Sequence, residues 1–442
     1  MHTIILLVPT LLCFTSAALG APTAQDWPGF LGPHGDSSVD WAEADFAWPK
    51  GGPEVIWKLE TGPGYGGAAV HGGEVFLMDR IDGEADVLRV YNLATGKHLW
   101  EAAYPARGRL NYQGSRTVPV VNDTHVFAAG GHGQVTAFDR KEQAIAWSMN
   151  VADDLGGMQP MFGFSSNPLL FGDTLIVAVL GEYVGLAGVD VNTGETRWES
   201  EPVGFSHSSP VLMQVAGETQ VVFSSCPTPG SGRDRAAPSW ISGFDPVAGD
   251  LLWRHELPLS GLPVPPPVQV DAERFFFTGG YRAGSTMTRI TKEKGDYVFE
   301  ELFHIDRGSQ IHRPIFFEEH IYVIVNENWN RSRRRQKEGG LLCLNLSGEE
   351  VWRTGEDPFF SLGGFSRIGN TLLVQDGDDG HLEAVLADPA GFKSVGTFDT
   401  FGLATGEESM DEQTWAPLAF SGDFLITRSQ RELVCVRLRG DS

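Results

Sequence analysis

The sequence predicts an all-β fold, an eight-bladed β-propeller of four-stranded antiparallel blades. Three observations carry that reading. A turn and a short strand ending at a large apolar residue recur eight times, at intervals of about 43 to 55 residues, the length of one blade. A second strand, usually opened by a proline, precedes each of these units. The two chain ends also supply complementary parts of one blade, so N- and C-terminal strands together close the ring and remove its open edge.

The recurrent unit is clearest in YNLATGKHLW, FDRKEQAIAW, VDVNTGETRW, FDPVAGDLLW and LNLSGEEVW, which end at Trp100, Trp147, Trp198, Trp253 and Trp352. Trp57 in PEVIWKLE is a first copy without its turn, and Phe303 (YVFEELF) and Phe398 (FKSVGTF) stand where tryptophans are missing. These eight side chains are read as wedges between blades. A tryptophan buries about 200 Å², worth several kcal/mol at roughly 25 cal/mol per Å². The prolines of the second landmark are Pro119, Pro168, Pro210, Pro267, Pro314 and Pro417, with Ala69 and Ile368 in the matching places of the other two units. Proline is tolerated at the first residue of a strand, where its missing N–H costs least. A Gly/Asp/Asn turn and an alternating strand such as TLIVAVL or HIYVIVN follow. The chain opens with the outer strand EVIWKLE and closes with WAPLAF, DFLITRS and LVCVRL, one blade shared by both ends. Seven blades is the rival count, because the fifth and seventh units are degenerate. The chain thus divides into a signal peptide (1–20), an N-terminal lead-in (21–53), one propeller (54–438) and a short tail (439–442).

Lys and Arg total 33 against 57 Asp and Glu, a net charge of −24, which repels nucleic acid and anionic lipid. The run IILLVPTLLCFTSAALG ends in small residues, with a cleavage site after Ala18-Leu19-Gly20, and predicts export to the periplasm or the cell exterior. It is too short and proline-broken to span a membrane. Leu12 before Cys13, where a lipid acceptor wants a small residue, argues against a lipid anchor. Cys226, Cys343 and Cys435 remain after cleavage, an odd number that gives no disulfide framework, and no CxxC or His/Cys cluster suggests a metal.

The strings DVNTGETRW and NLATGKHLW resemble the D-x-x-T-G-x-x-x-W repeat of the pyrroloquinoline quinone-like (PQQ-like, BamB-like) propellers of the quinoprotein-like superfamily. That family includes quinoprotein alcohol dehydrogenases and the outer-membrane assembly lipoprotein BamB. DWPGFLGPHGDSSV resembles the opening segment of secreted propellers of planctomycete-type bacteria, with Leu31 in place of an arginine, and the closing strands look like the same group. The resemblance covers about residues 27–438. It implies the fold and speaks weakly about chemistry. Dehydrogenases of the family hold their quinone against two adjacent cysteines and carry calcium on a carboxylate/amide set beside a catalytic Asp. This chain has no Cys-Cys pair and no such set in matching context, so no cofactor is expected, PQQ included.

Equivalent loops of a propeller emerge on one face. Those leading into the proline-marked strands are rich in Gly and aromatics: GPGYGG, RLNYQGSR, MQPMFGFSS, GFSHSS, SQIHR, FFSLGGFSR and DEQTW. Tyr65, Arg116, Ser165, Ser166, His207, His312, Arg313, Ser366, Arg367 and Trp415 are expected to ring the axial mouth. Three arginines on an acidic background suit an anion or a polar sugar, and aromatic rings stack on a sugar or a peptide. The alternative is that these residues merely plug the channel. His207 and His312 are the one acid/base pair among them, but a His amid serines commonly just donates to backbone, so no catalytic residue is assigned. Residues 330–337 form a basic hairpin loop, either a contact for an acidic partner or polysaccharide or a solvated loop. Asp376–Gly380 is read as a turn rather than a calcium loop. The acidic run Glu407, Glu408, Asp411 and Glu412 admits the same two readings as the basic loop. The expected function is an exported, monomeric, non-catalytic binding or scaffold propeller with a protein or carbohydrate ligand at its axial face. The alternatives are a quinone-dependent oxidoreductase and a carbohydrate-active enzyme using the Arg/His ring.

Overall fold

A computed structural model describes residues 26–40, 48, 52–81, 83–227, 238–326, 338–402 and 413–438. The signal, the tail, the basic loop and the acidic run lie outside the described residues. Eight antiparallel sheets follow one another around a ring. In chain order, blades 1 to 7 cover residues 68–105, 120–150, 169–199, 211–257, 268–305, 315–353 and 365–399. Blade 8 takes Ala419–Ser421, Phe424–Arg428 and Glu432–Arg437 from the C-terminal end and Glu54–Glu60 from the N-terminal end. Glu54–Glu60 lies antiparallel to Glu432–Arg437, with Trp57 opposite Cys435. The ring is therefore closed by both ends of the chain. A short helix, Val151–Leu155, is capped by the Asn150 side chain.

Each hydrophobic cluster is shared by neighbouring blades, since a lone blade would leave both faces wet. One example joins Phe76, Leu88 and Val90 of blade 1 to Val121, Val126 and Phe138 of blade 2. The largest cluster lies at the seam and spans blades 7, 8 and 1. The aromatic that ends a blade reaches the turn of the next. Trp57 donates its indole N–H to the carbonyl of Leu93 (2.7 Å), Trp147 to Val191 (2.9 Å) and Trp352 to Asp388 (2.9 Å). Trp57, Trp147, Trp198 and Phe303 lie flat on Gly96, Gly194, Gly249 and Gly348, and Phe398 lies on Gly52. Trp100 is buried at the junction of blades 1 and 2, and Trp253 gives its N–H to Gln220 within its own blade (2.7 Å). The T-G of the repeat is thus explained twice over. Gly96 has φ +67°, and a Cβ there would stand 2.7 Å from Trp57 Cγ.

The inner strands start one or two residues after the proline in six blades. In blades 1 and 7 a glycine, Gly67 or Gly364, takes that place. Ile368, matched to the prolines by sequence, instead ends its strand, Phe365–Ile368.

The lead-in crosses the end of the ring opposite these strand starts. Trp27 bridges to Val70 of blade 1 and packs edge-on to Phe420 of blade 8, 5.0 Å between centroids. Pro28 accepts from the N–H of Val121 in blade 2 (2.8 Å). Leu31 is buried with Val211 and Met213 of blade 4. Ser38–Val39 then runs parallel to Arg367 and Ile368 of blade 7. Residues 27–39 form a strap across the axis.

Gly96→Ala is expected to cost about 2–4 kcal/mol, because overpacking against Trp57 adds to left-handed strain. Gly73→Ala, at φ +78° with nothing within 4 Å of the new Cβ, is expected to cost only about 1–2 kcal/mol. Urea midpoints of the two variants check the difference.

Candidate functional site

A chamber of about 290 Å³ lies on the axis. Its floor is the strap, through Phe30, Leu31 and Ser37, and its wall is made by the loops that lead into the inner strands. Arg428 holds one side of that wall. Wholly buried, it donates to the carbonyls of Gly62 (2.8 Å), Gly66 (3.1 Å) and Met78 (3.1 Å) and to Ser115 Oγ (3.0 Å), and it faces Asp79 Oδ1 at 3.2 Å. Gln430 adds a two-way amide pair with the N–H and C=O of Gly64, both 3.0 Å. One arginine and one glutamine of blade 8 thereby fix the loops of blades 1 and 2.

A row of aromatic rings follows the wall. Tyr65, Tyr112 and Trp415 contact one another at 5.4 to 5.9 Å between centroids. Tyr112 then meets Phe162 (5.7 Å), and Phe162 meets His207 (5.2 Å). Tyr112 and Tyr281, both in the wall, have φ +61° and +57°. Left-handed backbone at a tyrosine is strained and persists only where its surroundings enforce it.

The polar wall residues divide by whether they are paired. Asn167 accepts from the N–H of Val118 (2.7 Å) and donates to Ser209 Oγ (2.9 Å). Gln310 donates to Tyr281 OH (3.1 Å). His312 is spent internally: Nε2 accepts from the N–H of Gly363 (3.0 Å), and burial lowers its pKa to about 3. Only glycine fits at 363, where a Cβ would lie 1.8 Å from the Gln375 carbonyl. His207 pairs Nδ1 with Ser165 Oγ (2.8 Å). Its Nε2 is buried without a partner, and desolvation aided by the charge of Arg116 lowers its pKa to about 4. Arg116 donates through Nη2 to the carbonyls of Asn111 and Tyr112 and lies 5.9 Å from the Tyr65 ring centroid. Arg313 donates through Nε to the Pro267 carbonyl (2.9 Å). Burial brings both guanidinium pKa values down to about 10.

Tyr65, Arg116, Ser165, His207, His312, Arg313, Ser366 and Trp415 all line this one chamber. Two residues expected at the mouth do not. Ser166 donates to the Ser208 carbonyl (2.6 Å) and borders a separate small void between blades 2 and 3. Arg367 lies over the Phe317 ring at 4.6 Å and reaches Asp40 of the lead-in at 3.3 Å. Their neighbours Ser165 and Ser366 line the chamber instead. Phe162, Tyr112, Tyr281 and the strap residues were not singled out from the sequence. The only signal for the first two was the Gly/aromatic composition of their loops. Asp376 works as a turn residue, accepting from the N–H groups of Asp378 (2.9 Å) and Ser361 (2.9 Å), with a pKa raised by desolvation to about 6. Among the described residues, no cluster of three or more His, Cys, Asp or Glu is placed to hold a metal, and no helix is long and apolar enough to cross a membrane.

The family model described as outer membrane protein assembly factor BamB matches residues 49–229. The chain has the BamB-like, PQQ-repeat propeller fold. BamB from Moraxella catarrhalis superposes on this BamB-like propeller with a TM-score of 0.58 at 14% identity, covering 87% of this chain and 99% of that one. A europium-containing methanol dehydrogenase gives 0.61 at 13% identity, over 91% and 89% of the two chains. Quinohemoprotein alcohol dehydrogenase from Comamonas testosteroni gives 0.61 at 12% identity, over 95% and 81%. No curated protein matches by sequence. At these identities the likeness is one of fold.

His207 is held neutral in the BamB-like propeller, with a pKa below that of the unfolded chain. The folded form therefore binds fewer protons between about pH 4 and 6.5, and this contribution to stability is lost as pH falls through that window. His207→Gln is expected to flatten the pH dependence of unfolding free energy by about 1.4 kcal/mol per pH unit there. Denaturant titrations of both forms at pH 4.5, 5.5 and 6.5 measure it. Parallel profiles would refute the assignment.

Proposed function

We propose that this chain is an exported, non-catalytic binding or scaffold propeller that takes a ligand or the end of a partner into its axial chamber. One observation carries the reading. The chamber is closed at the floor, walled by aromatics, and bordered by buried polar nitrogens of Arg116, His207 and Trp415 that have no partner in the protein. Pockets with an apolar wall and a few convergent polar groups are the usual form of ligand sites.

Catalysis has less support. Cleavage of a glycosidic bond by the common mechanisms needs two carboxylates, and no Asp or Glu lines the chamber among the described residues. His312 already accepts a backbone N–H, and among the described residues neither histidine has a carboxylate partner to orient it. The wall carries no cysteine either, so its donor set does not fit a quinone held by adjacent cysteines beside calcium, and no cofactor is proposed. The structural matches include both an assembly factor and dehydrogenases, so likeness favours neither role. Export rests on the N-terminal sequence, and a protein partner on the BamB-like fold.

Ligand-observed NMR with a fragment set of neutral, cationic and anionic compounds tests the reading. Several fragments are expected to bind the native chain and to lose binding in Leu262→Trp, which fills the chamber, provided the variant melts at the native temperature. Fragments that bind both forms equally would place binding elsewhere. Turnover of alcohols after addition of PQQ and calcium would replace the non-catalytic reading with a dehydrogenase.

A further inference from the structure

The chamber has a charge pattern unlike the rest of the chain. The protein carries −24 overall, yet two arginines and no acid line this wall among the described residues. Among the described residues neither Arg116 nor Arg313 is in an ion pair within 4.0 Å, although Arg89, Arg197 and Arg289 each have at least one; the nearest countercharge acting on Arg313 is Asp36 of the strap. A desolvated guanidinium beside carbonyl dipoles is only partly compensated, because dipoles supply no countercharge. They lead into blades 2 and 6, on opposite sides of an eight-bladed ring.

The unpartnered atoms share one polarity. Among the wall residues they are Arg116 Nε, His207 Nε2 and Trp415 Nε1. Arg and Trp only donate. His207 donates at Nε2 whenever Ser165 gives its hydroxyl hydrogen to Nδ1. These three residues stand on the loops into blades 2, 4 and 8, along the aromatic row. His207 is 7% exposed, so its free nitrogen is denied bulk water. Among the described residues, no buried side-chain oxygen of the wall is left without a partner.

Much of the remaining wall is apolar, with Leu262, Val264, Ile311, Leu362, Phe365 and Leu418, and Ser37, Ser165, Ser209 and Ser366 add a few hydroxyls. Its amides, at Asn167 and Gln310, are already paired within the protein. A hydroxyl-rich sugar would leave hydrogen bonds unmade against these apolar side chains, at about 1–3 kcal/mol each. A phosphate dianion would lose more hydration than a carboxylate on entering. The strap closes one end, so the chamber admits a molecular end rather than a chain passing through.

Resting on the reading of the chamber as a ligand site, we infer that it binds the carboxylate end of an apolar molecule, with the carboxylate on the Arg116–His207–Trp415 side and the apolar body against the aromatic row. Two sources share this chemistry: a small ring-bearing acid, and the free C-terminus of a peptide ending in an apolar residue.

Calorimetry on the full mature chain separates the possibilities. The probes are 3-phenylpropionate, its amide, phenyl phosphate, maltose, and the tripeptide Ala-Ala-Phe with a free or amidated C-terminus. Binding of 3-phenylpropionate at least tenfold tighter than its amide is expected. Arg116→Met should remove that preference while leaving the amide's affinity within about twofold. Arg313→Met should weaken the acid less than Arg116→Met does. A free tripeptide that outbinds the small acid identifies a chain terminus as the natural ligand, and the reverse identifies a small acid. Equal affinity for acid and amide, or preference for maltose or phenyl phosphate, overturns the carboxylate assignment and leaves the chamber a ligand site. No probe displacing any chamber-bound fragment, with Leu262→Trp binding all of them like the native chain, overturns both. Native-like melting of Arg116→Met keeps a folding defect from imitating the result; should it melt early, Arg116→Lys, which restores charge without the planar fork, is expected to recover part of the acid preference.

Discussion

The pairing of Glu54–Glu60 with Glu432–Arg437 holds the molecule in its shape. It joins the two ends of the chain, turns a row of blades into a ring, and gives the eight equivalent loops a common axis. Without it blade 8 would have three strands and an open edge. The same blade carries Arg428 and Gln430, which tie the loops of blades 1 and 2 to the seam. Ring closure and wall construction are therefore one event. The Arg428–Asp79 pair is buried on both sides, a geometry in which loss of one partner strands the other charge and costs about 3–5 kcal/mol.

Closure alone would leave a pore. The strap makes it a chamber. Trp27 anchors one end between blades 8 and 1 and Ser38–Val39 the other at blade 7, while Leu31 between them packs on blade 4 across the ring, so the strap leans on the ring's integrity. Acidic residues are spread over the blade edges and turns, where they cap backbone N–H groups or pair with exposed cations, as Asp139, Asp190 and Asp271 do. The chamber is lined by two arginines and, among the described residues, by no Asp or Glu, although Asp36 of the strap acts on Arg313. Surface charge then serves solubility while the interior field favours an anion, two separate roles within one net charge.

Much of the fold was legible because one motif does two physical jobs. The glycine of T-G permits the turn, and its missing side chain admits the aromatic of the preceding blade, so the pattern marks both a hairpin and an interface. Phe303 on Gly348 shows that Phe can replace Trp in this seat, which is why the degenerate fifth unit still counted as a blade. The proline rule failed in blade 7, where Gly364 against Leu418 meets the need for close approach in another way. The chamber was partly legible. Loop composition pointed to the loops that line the chamber, but nothing in it separates Ser165 from Ser166 or Ser366 from Arg367, and all four were placed at the mouth. The strap was not legible as a floor. Its residues have no period, and their place depends on contacts with blades 1, 2, 4, 7 and 8 that exist only once the ring is shut.

A crystal structure of the mature chain with 3-phenylpropionate measures the central claim most directly. The account predicts density for the acid on the axis above Leu31, its carboxylate within hydrogen-bond distance of Arg116 and of at least one of His207 Nε2 and Trp415 Nε1, and its ring against Tyr65 or Phe162. A carboxylate side chain of the protein itself occupying that position, or the acid bound only at the outer blade edges, would contradict it.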